Sequence, residues 1–87
     1  MTPLEFAEKW VPRSRNGVQP GEHKFKTQAA REISRAIGGK PAAETIRRSW
    51  GSDFSEYPHW VPRMLELEDM RREIEAQVSR GTPRPHD

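Results

Sequence analysis

The residue types that most often carry catalysis are few and scattered in this 87-residue sequence. Cysteine is absent, which excludes disulfides, thiolate metal sites and thiol nucleophiles. The three histidines lack the i, i+4 spacing of a helical metal pair; they are His23, His59 and His86. A carboxylate pair such as Glu66 and Asp69 falls on a helix face that we expect to be solvated. The sequence therefore predicts no enzyme, no catalytic residue, no cofactor and no metal site.

Basic side chains, by contrast, are concentrated in one part of the chain. The net charge is only +2, but residues 9–48 contain ten Lys or Arg against three Glu, a local charge of +7. Residues 49–77 carry a local charge of −4. A basic half beside an acidic half favours a surface that binds a polyanion on one side of the molecule.

The composition limits the elements that can position these charges. Hydrophobic residues make up 32% of the chain, and Leu, Ile, Val and Phe together number 14 of 87. We therefore expect one small domain with a small core, stabilised further by a second copy or a partner. No apolar run is long enough to cross a membrane, and the first residues lack the pattern of a signal peptide. These features predict a cytoplasmic location.

Helical periodicity and capping signals predict an all-α fold of four helices within residues 1–79. Thr2-Pro3-Leu4-Glu5 reads as a capping box for a short first helix. A basic loop follows over 12–26, in which Phe25 either anchors the loop to the core or stacks on a base. Thr27 is the predicted cap of a second helix over 28–37, and Gly38-Gly39 ends it. Pro41 is expected to begin a third helix over 41–50.

The last predicted helix spans 62–79 and is amphipathic, with charged residues on its outer faces. Its apolar stripe consists of Met64, Leu67, Met70, Ile74 and Val78. Two roles remain open for this stripe, because it can form the seam of a dimer or close the core of the monomer. The residues from 80 to 87 are expected to be disordered.

The central pair of helices carries a recognisable motif. The segments Thr27-Gln28-Ala29-Ala30-Arg31-Glu32-Ile33-Ser34-Arg35-Ala36-Ile37-Gly38 and Thr45-Ile46-Arg47-Arg48-Ser49-Trp50-Gly51 are separated by a short break. Together with Pro58, Trp60 and Val61 before the last helix, they resemble the Cro and phage-repressor type (XRE-type) of helix-turn-helix domain over about residues 27–70. The spacing from Gly38 to Ile46 is longer than the usual turn of that family.

This resemblance implies a transcriptional regulator, in the first instance a repressor, that binds double-stranded DNA as a dimer. The helix over 41–50 would enter the major groove, where Arg47 and Arg48 would contact guanine edges or phosphates. Thr45 and Glu44 are further candidates, and Glu44 is also placed to pair with Arg48. Gln28 would contact the backbone or a base at the groove edge. Attraction to phosphates would come from Lys24, Lys26 and Lys40.

Three alternatives stay open at this stage. The two central helices can be ordinary faces of a small bundle whose arginines are solvated. The protein can instead be a small interaction module, such as an antitoxin or a phage-encoded inhibitor, that binds a protein partner through its acidic last helix or its basic face. RNA binding is the third, and it depends on the aromatic residues predicted in loops, which are Phe25, Phe54 and Tyr57.

Overall fold

The computed structural model describes residues 1–14 and 17–81, with side chains through residue 78. This part of the chain folds into four helices without a strand, which confirms the predicted all-α class. The helices are α1 (Pro3–Trp10), α2 (Phe25–Ala36), α3 (Ala43–Ser49) and α4 (Val61–Gly81).

Helix α1 begins as the sequence predicts. The Thr2 hydroxyl accepts a hydrogen bond from the backbone N–H of Glu5 at 3.1 Å, and the Glu5 carboxylate accepts one from the N–H of Thr2 at 2.9 Å. This reciprocal capping box satisfies two backbone donors that the first turn leaves free. Phe6, Ala7 and Trp10 then face the core.

Helix α2 begins two residues before its predicted cap. Lys24, and not Thr27, is the N-cap, and its side chain makes no capping hydrogen bond. The reason is packing, because Phe25 lies in the first turn with only 9% of its surface exposed and extends the helix toward the core. Phe25 is thus an anchor, as one of the two interpretations held, and Lys26 belongs to the helix and not to the loop.

The turn between α2 and α3 uses backbone conformations that favour glycine. Gly38 and Gly39 have φ angles of +95° and +89°, and the N–H of Gly39 donates to the carbonyl of Ser34 at 2.7 Å. The Ser34 hydroxyl donates to the carbonyl of Pro41 at 2.8 Å. Because this bond holds the chain outside the helix, α3 begins at Ala43 and not at Pro41 as predicted.

The core is centred on α2, which packs on α1, α3 and α4, and the segment after α3 adds further buried aromatic side chains. Phe54 is 2% exposed in that segment, and Tyr57 packs on Trp50 with ring centroids 6.3 Å apart. The buried apolar residues are Phe6, Ala7, Trp10, Val11, Phe25, Ala29, Ala30, Ile33, Ile37, Ile46, Trp50, Phe54, Val61 and Leu65. The loop aromatics on which RNA binding depended are therefore largely taken up by the protein's own packing.

Helix α4 packs on the rest of the protein with a charged face that the sequence predicted to be solvated. Glu68, Asp69, Arg72 and Glu73 were expected on the outer faces. Instead, Asp69 and Glu73 contact Lys9 of α1, Arg72 contacts Glu32 of α2, and Glu68 pairs with Arg72. The predicted apolar stripe lies on the opposite side and is 39–61% exposed, so it does not close the monomer core. The helix also continues through residue 81, past the predicted end at 79; residues 82–87 of the expected disordered tail lie outside the described residues.

Candidate nucleic-acid interface

Helix α3 presents a polar outer side because its apolar residues are fixed inward. Ile46 is fully buried and Trp50, which caps the helix, is 4% exposed. Thr45 and Arg48 are exposed on the same short helix, and Arg47 is half-buried. The core thus sets the direction in which the polar side chains of α3 point.

Glu44 holds both arginines of α3 in the free protein. Its carboxylate accepts hydrogen bonds from Arg47 Nη2 at 2.8 Å and from Arg48 Nε at 2.9 Å. The hydrogen bond from Arg47, aided by Arg48, lowers the pKa of Glu44 below its ordinary value. This cluster keeps one net positive charge and orders both guanidinium groups on the exposed side of α3.

Three lysines near α2 and in the turn after it were also predicted to contact DNA. The sequence assigned Lys24, Lys26 and Lys40 to phosphate attraction, and the structure leaves Lys24 and Lys40 exposed. Lys26 is half-buried, with its ammonium 6.0 Å from the centre of the Phe54 ring. Lys26 therefore lies beside the segment that follows α3.

Gln28 lies on the side of α2 that borders the start of α3. It lines a surface hollow of about 490 Å³ together with Ala43 at the start of α3. Sequence reasoning missed two further members of this hollow, Arg31 and Arg35, because it treated them as ordinary solvated charges. Their spacing of four residues on the face that also carries Gln28 was the available signal.

Glu32 is a charged residue of α2 that is only 8% exposed. Its carboxylate accepts a hydrogen bond from Arg72 of α4 at 3.1 Å and one from Arg35 at 3.3 Å. Because an ion pair inside the molecule occupies this carboxylate, the outer surface of α2 is more cationic than the sequence count implies.

The inner face of α4, defined here as Glu68, Asp69, Arg72 and Glu73, makes an ion-pair network with α1 and α2. Lys9 of α1 contacts the carboxylates of Asp69 and Glu73, each at 2.7 Å. Three further contacts belong to this network: Trp10 Nε1 donates to Asp69 at 2.8 Å, Arg72 donates to Glu68 at 2.8 Å, and the Arg72 guanidinium lies 5.1 Å from the centre of the Phe6 ring. The network pairs acidic side chains of α4 with cations, so that these carboxylates do not face solvent.

The opposite side of α4, together with Trp60 immediately before the helix, forms what we call the outer stripe, which is the predicted apolar stripe extended by Trp60. Its members are Trp60, Met64, Leu67, Met70, Ile74 and Val78. Contiguous apolar exposure of this extent marks an interaction surface more often than an ordinary monomer surface.

Beyond these surfaces, residues 1–14 and 17–81 contain no group of three His, Asp or Glu side chains arranged to hold a metal ion. None of the helices in this part of the chain combines the length and the apolar character needed to cross a membrane. Neither a protein-family model, nor a curated protein, nor a solved structure matches the chain.

Proposed function

We propose that this protein is a transcriptional regulator that binds double-stranded DNA with the outer side of α3, acting as a dimer. The observation that carries the proposal is the placement of α3, whose Ile46 and Trp50 lie in the core while Thr45, Arg47 and Arg48 face outward. A helix fits the major groove, and arginine is the side chain that most often pairs with the exposed edge of guanine.

The surrounding charges suit the DNA backbone. Seven Lys or Arg residues lie between residues 24 and 48, and each is exposed or half-buried. The two carboxylates in the same stretch are already engaged by arginines. Lys24, Lys26 and Lys40 supply attraction to phosphates that is independent of base sequence, and Gln28 is placed for a contact at the groove edge.

Glu44 gives the proposed contact a defined rearrangement. Its carboxylate accepts hydrogen bonds from N–H groups of Arg47 and Arg48. The same N–H groups would donate to guanine or phosphate in the complex. A guanine edge or a phosphate would replace Glu44 as the acceptor for at least one arginine. Since phosphates repel a carboxylate, Glu44 would also weaken complexes in which the arginines do not reach their acceptors on the DNA.

A second candidate function is a small protein-interaction module of the antitoxin or inhibitor type. The outer stripe favours it, because this surface is apolar and lies opposite the inner face of α4. The two candidates differ in the surface that recognises the ligand, which is α3 for DNA and the outer stripe for a protein partner. Substitutions in α3 therefore distinguish them by their effect on DNA binding.

The experiment is a salt series of equilibrium binding to fluorescent duplexes, one of random sequence and one from the region upstream of the protein's own gene. If about five of the seven cations contact phosphates, the logarithm of the association constant falls with the logarithm of salt with a slope of about −4.5. Tighter binding to the upstream duplex would support sequence-specific regulation. Absence of binding to either duplex at the lowest salt concentration would overturn the DNA proposal.

A further inference from the structure

The outer stripe has the spacing of a coiled-coil seam. Trp60, Met64, Leu67, Ile74 and Val78 follow one another at intervals of four, three, seven and four residues, and Arg71 divides the interval of seven into four and three. Alternation of four and three is the repeat that keeps one side of a helix against a partner helix. Met70 borders this seam and is 59% exposed.

The area of the stripe is sufficient for pairing with an identical surface. Six large apolar side chains, each exposing roughly 100 Å², leave on the order of 600 Å² per copy, so two copies would cover on the order of 1,200 Å², the lower limit for specific interfaces. The ion pairs of the inner face hold α4 against α1 and α2, so the stripe is presented without prior rearrangement.

Arg71 distinguishes the two ways in which two copies of α4 can pair. It lies within the seam, and its guanidinium is bound by Glu68 and Glu75 of the same helix at 2.6–3.0 Å. A parallel pair would place the two Arg71 side chains opposite each other in the apolar seam, where like charges repel. An antiparallel pair places each Arg71 opposite Leu67 of the other copy, which its aliphatic stem can cover while the charge stays on its own carboxylates.

We infer that the partner for the outer stripe is a second copy of this chain, bound with α4 antiparallel to α4. In this register Met64 packs on Ile74 of the second copy, and the large Trp60 packs on the small Val78. Each of these pairs, like the pair of Arg71 with Leu67, is symmetric about position 69 of the helix. A single two-fold axis at that position therefore generates every layer of the seam. Met70, at the border of the seam, meets its own copy close to this axis.

This pairing deepens the proposed function, and its use in DNA binding rests on that function, since two copies would present two α3 helices to two half-sites. Its test requires no DNA. Failure of pairing and failure of DNA binding are therefore observed in separate experiments, one on the purified protein alone and one in the salt series.

The absence of cysteine from the chain makes disulfide trapping specific. Two variants are prepared, Met64→Cys and Ile74→Cys, and oxidised under mild conditions either separately or as an equal mixture. In the antiparallel pair each introduced thiol lies about 15 Å along the axis from its own symmetry copy, whereas Cα atoms more than about 7 Å apart cannot form a disulfide. The mixture should therefore give a dimer of the two different variants, identified by mass and linked between positions 64 and 74, and the separate variants should remain largely reduced.

The opposite pattern overturns the inference. Disulfide dimers in each separate variant, without preference for the mixed species, would indicate parallel pairing, and no linked dimer in any sample would indicate that α4 does not pair. Glu8→Cys, on the exposed side of α1, serves as the control for random collisions. As an independent measurement, sedimentation equilibrium should find the wild-type chain dimeric and Ile74→Glu monomeric with unchanged helical circular dichroism; a monomeric wild type would equally overturn the inference.

Discussion

Helices α3 and α4 each have an apolar side and a charged side, but they orient these sides in opposite ways relative to the core. Helix α3 buries Ile46, which is fully covered, and turns its arginines toward solvent. Among the described side chains of α4, the buried apolar ones are Val61 and Leu65 in its first turns. The following turns place a charged face inward. An apolar stripe therefore packs on its own core only where the neighbouring helices offer an apolar surface.

The neighbours of α4 offer a polar surface instead. Lys9 of α1 and Glu32 of α2 stand where the middle of α4 docks, and each has an oppositely charged partner on α4. Burying an apolar side chain against these groups would remove their partners from reach and leave charges uncompensated. The ion pairs therefore fix which side of α4 faces inward, and the outer stripe remains for another molecule.

The same substitution, leucine to alanine, compares the two sides of α4 and should produce the greatest difference in stability. Leu65→Ala removes a fully buried side chain and should lower the free energy of unfolding by about 2–5 kcal/mol. Leu67→Ala changes a side chain that is 50% exposed and should change the unfolding of the monomer far less. Urea denaturation at protein concentrations low enough to keep the chain monomeric measures both. Equal destabilisation by the two variants would mean that the orientation of α4 is wrong.

The next effect compares two arginines of α4 that differ in burial. Arg72→Ala leaves Glu32 without its partner on α4 and should cost about 2–3 kcal/mol. Arg71→Ala removes an exposed arginine that pairs with Glu68 and Glu75 of its own helix and should cost much less. The same denaturation experiment applies, and a larger loss for Arg71→Ala would contradict the proposed role of the inner face.

The smallest effect is the dependence of stability on pH. Burial by itself raises the pKa of Asp69, but hydrogen bonds from Lys9 and Trp10 outweigh it, so the pKa lies below its ordinary value. The hydrogen bond from Arg71 likewise lowers the pKa of Glu68, and the one from Lys9 lowers that of Glu73. Carboxylates with lowered pKa values stabilise the fold above their ordinary pKa, and the contribution is lost as pH falls through the lowered value.

The pKa of Lys9 is shifted in the opposite direction, because the hydrogen bonds to Asp69 and Glu73 raise it above its ordinary value. Its contribution is present at neutral pH and is lost as pH rises through the raised value. The free energy of unfolding should therefore be nearly constant between about pH 5 and pH 9 and decline on both sides. In Asp69→Asn the acid decline should be shallower. A decline that begins near neutral pH would show that other groups control stability.

Local signals in the sequence were sufficient for most of the fold. The capping box at Thr2, the glycine pair at Gly38-Gly39 and the buried positions Ile46 and Trp50 of α3 could all be predicted, because each depends on near neighbours in the chain. The start of α2 at Phe25 could not, since packing of that ring overrides the cap preference of Thr27.

The inward face of α4 was likewise beyond local reasoning. It depends on which side chains α1 and α2 place against it, and contacts such as Arg72 with Glu32 join residues 40 positions apart. In the candidate site, the sequence predicted the pairing of Glu44 with Arg48, whereas the pairing of the same carboxylate with Arg47 required the structure.

The most direct test of the account compares one arginine from each helix in binding to a random duplex. Arg48→Gln and Arg71→Gln remove the same charge from exposed arginines that are each held by carboxylates of their own helix. For variants that sediment as the wild type does, Arg48→Gln should weaken binding about fivefold or more and reduce the salt slope by about 1, whereas Arg71→Gln should leave the slope unchanged. Equal losses in both variants, or no loss in Arg48→Gln, would contradict DNA binding by α3.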